Sequence, residues 1–222
     1  MIDWNPVPTE LTTAATDAVL AVLAIAALYL IRRRRAEDPW KVDLWSWLLT
    51  LLAAASVLGA VAHGFDLRER TTELLWQPLY LLLGLVVALF VVAAVRDRFG
   101  AGAARRTLPW MIAAGIGFFA LTRVGSGSFL AFIAYEAVAM LASLALYVDA
   151  AVRPRMTGAS WMALGVALNL VAAAVQQSQA GLLIAGWPFD HNGLFHFVQM
   201  AALGVLTLGV LTSLSRPEPP RL

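Results

Sequence analysis

Cysteine is absent from this chain of 222 residues, which excludes disulfides and thiolate chemistry and leaves the redox compartment unread. Lysine occurs once, at Lys41, so the other fifteen of the sixteen basic residues are arginine. With abundant alanine, this fits a GC-rich bacterial genome. Histidine occurs three times, at His63, His191 and His196. Charged residues make up only 14% of the chain, and the net charge of +2 comes from scattered loop arginines. Membrane topology accounts for those arginines, so no nucleic-acid partner is expected. No basic region precedes the first apolar run, so no cleaved signal peptide is expected.

What is plentiful is apolar surface. Hydrophobic residues form 60% of the sequence and the mean hydropathy is +0.75, more than a soluble core of this size requires. Several runs approach the roughly 20 apolar residues that cross a bilayer. We place spans at about Ala14–Ile31, Leu44–His63, Leu74–Val95, Leu108–Leu121, Phe129–Val148, Trp161–Val175 and Asn192–Leu214. A flexible link is expected at Gly125–Ser128 and a Pro-rich tail at Arg216–Leu222. Neither a repeat nor a linker marks a second domain. The expected fold is all-α: one domain, residues 1–222, forming an integral membrane bundle of seven transmembrane helices.

Loop charge orients the bundle. With the N-terminus outside, thirteen basic residues face the cytoplasm: Arg32 to Arg35, Lys41, Arg96, Arg98, Arg105, Arg106, Arg153, Arg155, Arg216 and Arg221. Only Arg68, Arg70 and Arg123 face out. The reading is N-terminus outside and C-terminus cytoplasmic, in a bacterial cytoplasmic membrane with lipid as its surroundings. Span ends carrying Trp read as interfacial anchors.

The histidines played no part in that count, yet it puts all three at the outer face. His63 ends the second span, in Ala62-His-Gly-Phe-Asp66. His191 and His196 lie in Trp187-Pro-Phe-Asp-His-Asn-Gly-Leu-Phe-His-Phe-Val-Gln199, which opens the last one. The same layer receives Glu10, Asp17, Asp66, Glu73, Gln77, Gln176, Gln177 and Asp190, and Glu136 lies about two turns into the fifth span. Polar groups at such depth usually face a bundle interior or an aqueous cavity.

Three imidazoles with an open fourth position suit catalytic zinc, so His63, His191 and His196 are the candidate ligands. The competing reading is interfacial histidines hydrogen-bonded to their neighbours. His191 and His196 differ by about 140° on a regular helix, which requires His191 to sit at the helix cap, with Asn192 or Asp190 shaping the start. Asn192 shares a face with His196. Glu10 and Asp17 fall on one stripe of the first helix with Thr13, placed to orient ligand histidines as carboxylates do; N-terminal capping is the alternative. Asp66, three residues after His63, is a candidate base, a fourth ligand or a loop residue near Arg68 and Arg70. Ser56 lies on the face of His63, about 10 Å deeper. Glu136 either hydrogen-bonds within the bundle or lines a pocket.

Seven spans, a histidine late in the second and a His-rich start to the seventh resemble the alkaline ceramidase-like membrane hydrolases and the related adiponectin-receptor-like proteins. The motif Asp190-His-Asn-Gly-Leu-Phe-His196 is also similar to that of a bacterial branch of such proteins. The resemblance implies zinc on three histidines, with Ser and Asp helpers, hydrolysing lipid amides. His63 matches the second-helix ligand and His196 the second histidine of a seventh-helix His-x-x-x-His. The first of that pair falls at Asn192, with His191 one place earlier, and the serine expected four residues before His63 is Gly59. Only Asp3-Trp4-Asn5 echoes the acidic-Trp lead of ceramidases. The implied mechanism is zinc-activated water, with Asp66 or Asp190 as base and the lipid tail between helices. A non-enzymatic sensor or assembly protein with a structural metal or pH-responsive histidines is the alternative, and a haem-binding bundle is third.

Overall fold

A computed structural model describes residues 3–123 and 128–215. Gly125, Ser126 and Gly127 of the expected link, and the tail from Arg216 to Leu222, lie outside the described residues.

Seven helices follow one another: α1 (Pro8–Arg32), α2 (Pro39–Gly64), α3 (Glu69–Phe99), α4 (Ala101–Thr122), α5 (Ser128–Val152), α6 (Ala159–Gln177) and α7 (His191–Leu214). Four short strands join them: β1 (Asp3–Trp4), β2 (Phe65–Asp66), β3 (Leu182–Ile184) and β4 (Trp187–Phe189). The helices overrun the apolar runs because their ends carry start signals. Pro8 and Pro39 occupy first-turn positions where a missing N–H costs nothing. Asp38 caps α2 by accepting from the Lys41 backbone N–H at 3.0 Å.

Six of the helices, all but α4, are long and apolar enough to cross a membrane. Only 28% to 56% of their most apolar windows is buried inside the protein. The rest is half-buried or exposed, and exposed residues such as Val22, Trp47 and Val138 form an apolar surface that lipid covers and water would not. The expected fourth span is present as a helix, but Arg105 and Arg106 at its start dilute its hydropathy. It runs back along α3: a Cβ on Gly84 would meet the Gly115 carbonyl at 3.0 Å, and one on Gly115 the Gly84 carbonyl at 2.9 Å. Small residues allow that backbone approach.

The helix ends form two layers. At the arginine end, Lys41 is 2% exposed and donates from Nζ to Asp97 Oδ1 at 2.7 Å and to Ser213 Oγ at 2.7 Å. Asp97 also accepts from Tyr147 OH at 3.2 Å and Arg96 Nη1 at 3.1 Å. The single lysine thereby ties α2 to α3 and α7, with α5 joined through the shared aspartate. Arg96 also pairs with Asp38, Arg98 with Asp149 and Arg35 with Asp43.

At the opposite end, β1 pairs antiparallel with β2, Trp4 stacks on Phe65 at 5.0 Å, and the Asn5 N–H reaches the Gly64 carbonyl at 3.0 Å. A β3–β4 hairpin turns through Ala185 and Gly186, at φ +50° and +83°. Two positive φ values match the twist of paired strands. Trp187–Phe189 is therefore strand, and α7 begins only at His191. Thr12 Oγ1 ties the hairpin to α1 by donating to the Pro188 carbonyl at 2.7 Å.

Candidate functional site

Below that layer the helices enclose a cavity of about 430 Å³, lined by all three histidines. Asp17, Ser56, Glu136, Gln176, Asn192 and Gln199 also face it, over apolar walls that include Leu52, Leu83, Val87 and Phe132. Polar groups share the lining with a larger apolar wall, the mixture expected for an amphiphile.

His191 is not the cap expected from its spacing. Asp190 is the N-cap of α7, and its Oδ1 accepts from the Asn192 and Gly193 backbone N–H groups, each at 3.0 Å. His191 is the first helical residue, and it lines the same cavity as His196 despite the roughly 140° between them. Asn192 Oδ1 accepts from Gln176 Nε2 at 3.3 Å, linking α6 to α7 at the rim.

The other two rings are each oriented by an oxygen. His63 Nδ1 lies 2.6 Å from Glu10 Oε2. A carboxylate partner there fixes the proton on Nδ1 and leaves Nε2 as the ring's acceptor. Trp76 meets the same ring edge-on at 5.7 Å. His196 is buried, its Nδ1 at 2.9 Å from Thr16 Oγ1. That hydroxyl also lies 2.8 Å from the Thr13 carbonyl, so it accepts from Nδ1 or donates to it according to the ring's tautomer. Nε2 faces Asp17 Oδ1 at 3.4 Å. A buried carboxylate facing a ring nitrogen calls for a proton between them.

Gly59 makes that arrangement possible. A Cβ there would lie 2.6 Å from Asp17 Oδ2, so the carboxylate occupies the space a side chain would take. The resemblance expects a serine at this position; the acid from α1 stands there instead.

The expected site residues divide accordingly. His63, His191, His196, Asp17, Asn192 and Ser56 line one cavity, and Glu10 stands behind His63. Asp66 does not join them; it is exposed on β2, opposite Asp3. Asp190 also stands outside the lining: its Oδ1 holds the start of α7 and accepts from Thr13 Oγ1 at 3.1 Å. Thr16, Trp76 and Tyr80 were not anticipated. Thr16 had a faint signal, since Thr12, Thr13 and Thr16 form a polar patch in an otherwise Ala-rich helix. A second, more open depression of about 500 Å³, lined by Glu73, Gln77, Thr122 and Arg123, shares Trp76 and Tyr80 with the cavity.

The residues do not form a ready zinc site. Among the described residues, no three His, Asp or Glu side chains stand close enough to hold a metal ion. His63 and His196 each have one ring nitrogen held by an oxygen, as zinc ligands do, but they do not converge with a third group.

The model of one protein family, described as a family of unknown function (DUF6962), matches residues 12–215, nearly the whole chain. No curated protein and no solved structure matches it. The family match carries no link to ceramidases or adiponectin receptors; that resemblance rests on the residues quoted above.

Proposed function

The chain belongs to that family, and from this premise we propose that it is a membrane hydrolase, taking an amphiphilic lipid into the cavity and cleaving an amide or ester bond in its head group. The observation that carries the proposal is the pair of oriented imidazoles in the wall of an amphipathic cavity. Glu10 holds the Nδ1–H of His63, the relation of an orienting acid to a general base. His63 Nε2 takes a proton from water, whose oxygen attacks the carbonyl carbon. The proton between His196 Nε2 and Asp17 passes to the leaving nitrogen or oxygen as the bond breaks. The apolar wall receives the tail.

Zinc on His63, His191 and His196 would supply a Lewis acid and an activated water. No step above is routed through it, because the three side chains do not converge as folded. The arginine distribution supports a bacterial cytoplasmic membrane with the histidine end outside, so the substrate would come from the outer leaflet.

The test is fatty-acid release from a panel of N-acyl and ester lipids by the purified protein. Activity should fall at least about 100-fold in His63→Ala and substantially in Glu10→Gln, the usual scale for a general base. Chelation that leaves activity intact assigns the reaction to these side chains alone. Loss on chelation, restored by zinc, places a metal at the histidines. Turnover that survives His63→Ala defeats the proposal. A second reading, a pH-responsive sensor, is favoured by the carboxylate partners of His63 and His196. It predicts a pH-dependent conformational change with no turnover of any lipid.

A further inference from the structure

The cavity contains a carboxyl group that the proposed reaction leaves unused. Glu136, on α5, is 9% exposed, and its Oε2 has no hydrogen-bond partner. It lines the cavity with Asp17 and the histidines. A buried polar atom without a partner costs roughly 1–3 kcal/mol or more and calls for an explanation such as an absent ligand. The surrounding charge indicates which ligand. Among the described residues, neither arginine nor lysine lines the cavity. Lys41 and most of the arginines lie at the other end of the bundle, and Arg123 belongs to the neighbouring depression. Two acids face the cavity, and two more stand just behind its polar rim, Glu10 at His63 and Asp190 at Thr13. Phosphate and carboxylate head groups would find only histidines there, two of them already facing acids, to offset their charge in a low-dielectric space.

We propose that the cavity selects amphiphiles whose head group donates hydrogen bonds and carries no negative charge, an amine above all, and that the Glu136 carboxyl receives that donor. The inference rests on reading the cavity as an amphiphile site and specifies the head-group chemistry it takes. Glu136 is a specificity residue: it faces the ligand from α5, across the cavity from the groups that α1 and α7 contribute. A donor reaching that carboxyl gives Glu136 the hydrogen bond it lacks among the described residues. An acceptor-only head would leave it orphaned, and sites built around a hydrogen bond discriminate strongly against ligands that lack one.

The experiment measures binding of dodecylamine, dodecanol and dodecanoate to the full chain in an uncharged detergent, from saturable shifts in thermal unfolding. Dodecylamine should bind at least about ten times more tightly than dodecanol, and dodecanoate should give no saturable shift. Glu136→Gln should weaken the amine about ten-fold or more while leaving dodecanol nearly unchanged. Dodecanoate binding as tightly as the amine would overturn the proposal, as would an amine affinity unaltered in Glu136→Gln. The wild-type preference alone decides the matter if the variant does not fold. Amine binding without hydrolysis of any lipid would sink the hydrolase reading and leave this one standing.

Discussion

At the scale of single residues, Asp17 and Gly59 illustrate how an absent side chain makes a site. The carboxylate sits where a Cβ on Gly59 would be, at 2.6 Å. Gly59→Ala should therefore push Asp17 from His196 and cost about 1–3 kcal/mol of stability, the usual range for overpacking. Gly59→Ser should do the same, although a serine is what the family resemblance would put there. Asp17→Ala should free the space, so the double variant Asp17→Ala/Gly59→Ala should be more stable than the sum of its parts, with a coupling of at least about 0.5 kcal/mol. Additive unfolding midpoints would show that the two residues do not compete for one volume. Glycine in an apolar helix reads as a small packing residue; only its neighbour on α1 reveals what the vacancy holds.

At the scale of elements, the arginine end is held by a buried polar network. Lys41 from α2, Asp97 from α3, Tyr147 from α5 and Ser213 from α7 meet around one ammonium and one carboxylate. Removing one member of a buried ion pair strands the other, at about 3–5 kcal/mol, whereas replacing both with apolar residues is often neutral. Lys41→Met should therefore lower the unfolding midpoint sharply, and Lys41→Met/Asp97→Leu should recover most of the loss. A single variant no worse than the double would remove the network from the account of stability. The sequence marked Lys41 only as a loop cation; its burial depends on α3 and α7 arriving beside it. The β3–β4 hairpin escaped notice for a different reason. Ala185-Gly186 carries half of the usual Asn-Gly or Asp-Gly turn signal, and its strands are three residues long.

At the scale of the whole molecule, the two helix-end layers differ in charge, and the difference is the basis for proposing that the N-terminus lies outside. Reporter fusions after Arg98 and after Arg155 should report the cytoplasm, and one after Arg123 the outside. An outside signal after Arg98 would invert the protein and turn the cavity toward the cytoplasm. The fusion after Arg123 also tests whether α4 crosses, since α4 alone falls short of the other helices in apolarity while matching the path of α3.

The sequence by itself determined the all-helical membrane bundle, the order of its seven helices and the layer in which the histidines lie. Those properties follow from apolar run length and loop charge, which need no knowledge of neighbours. It also singled out most of the cavity's polar lining, because ionisable residues are rare in such segments and each stands out. What only the tertiary structure decided is which of these groups touch. Thr16 orients His196, Glu10 holds His63, Asp190 caps a helix and Asp66 stays at the surface. These pairings join residues up to 180 positions apart, and the rotation and depth of each helix are set by packing against its neighbours, which no local pattern encodes.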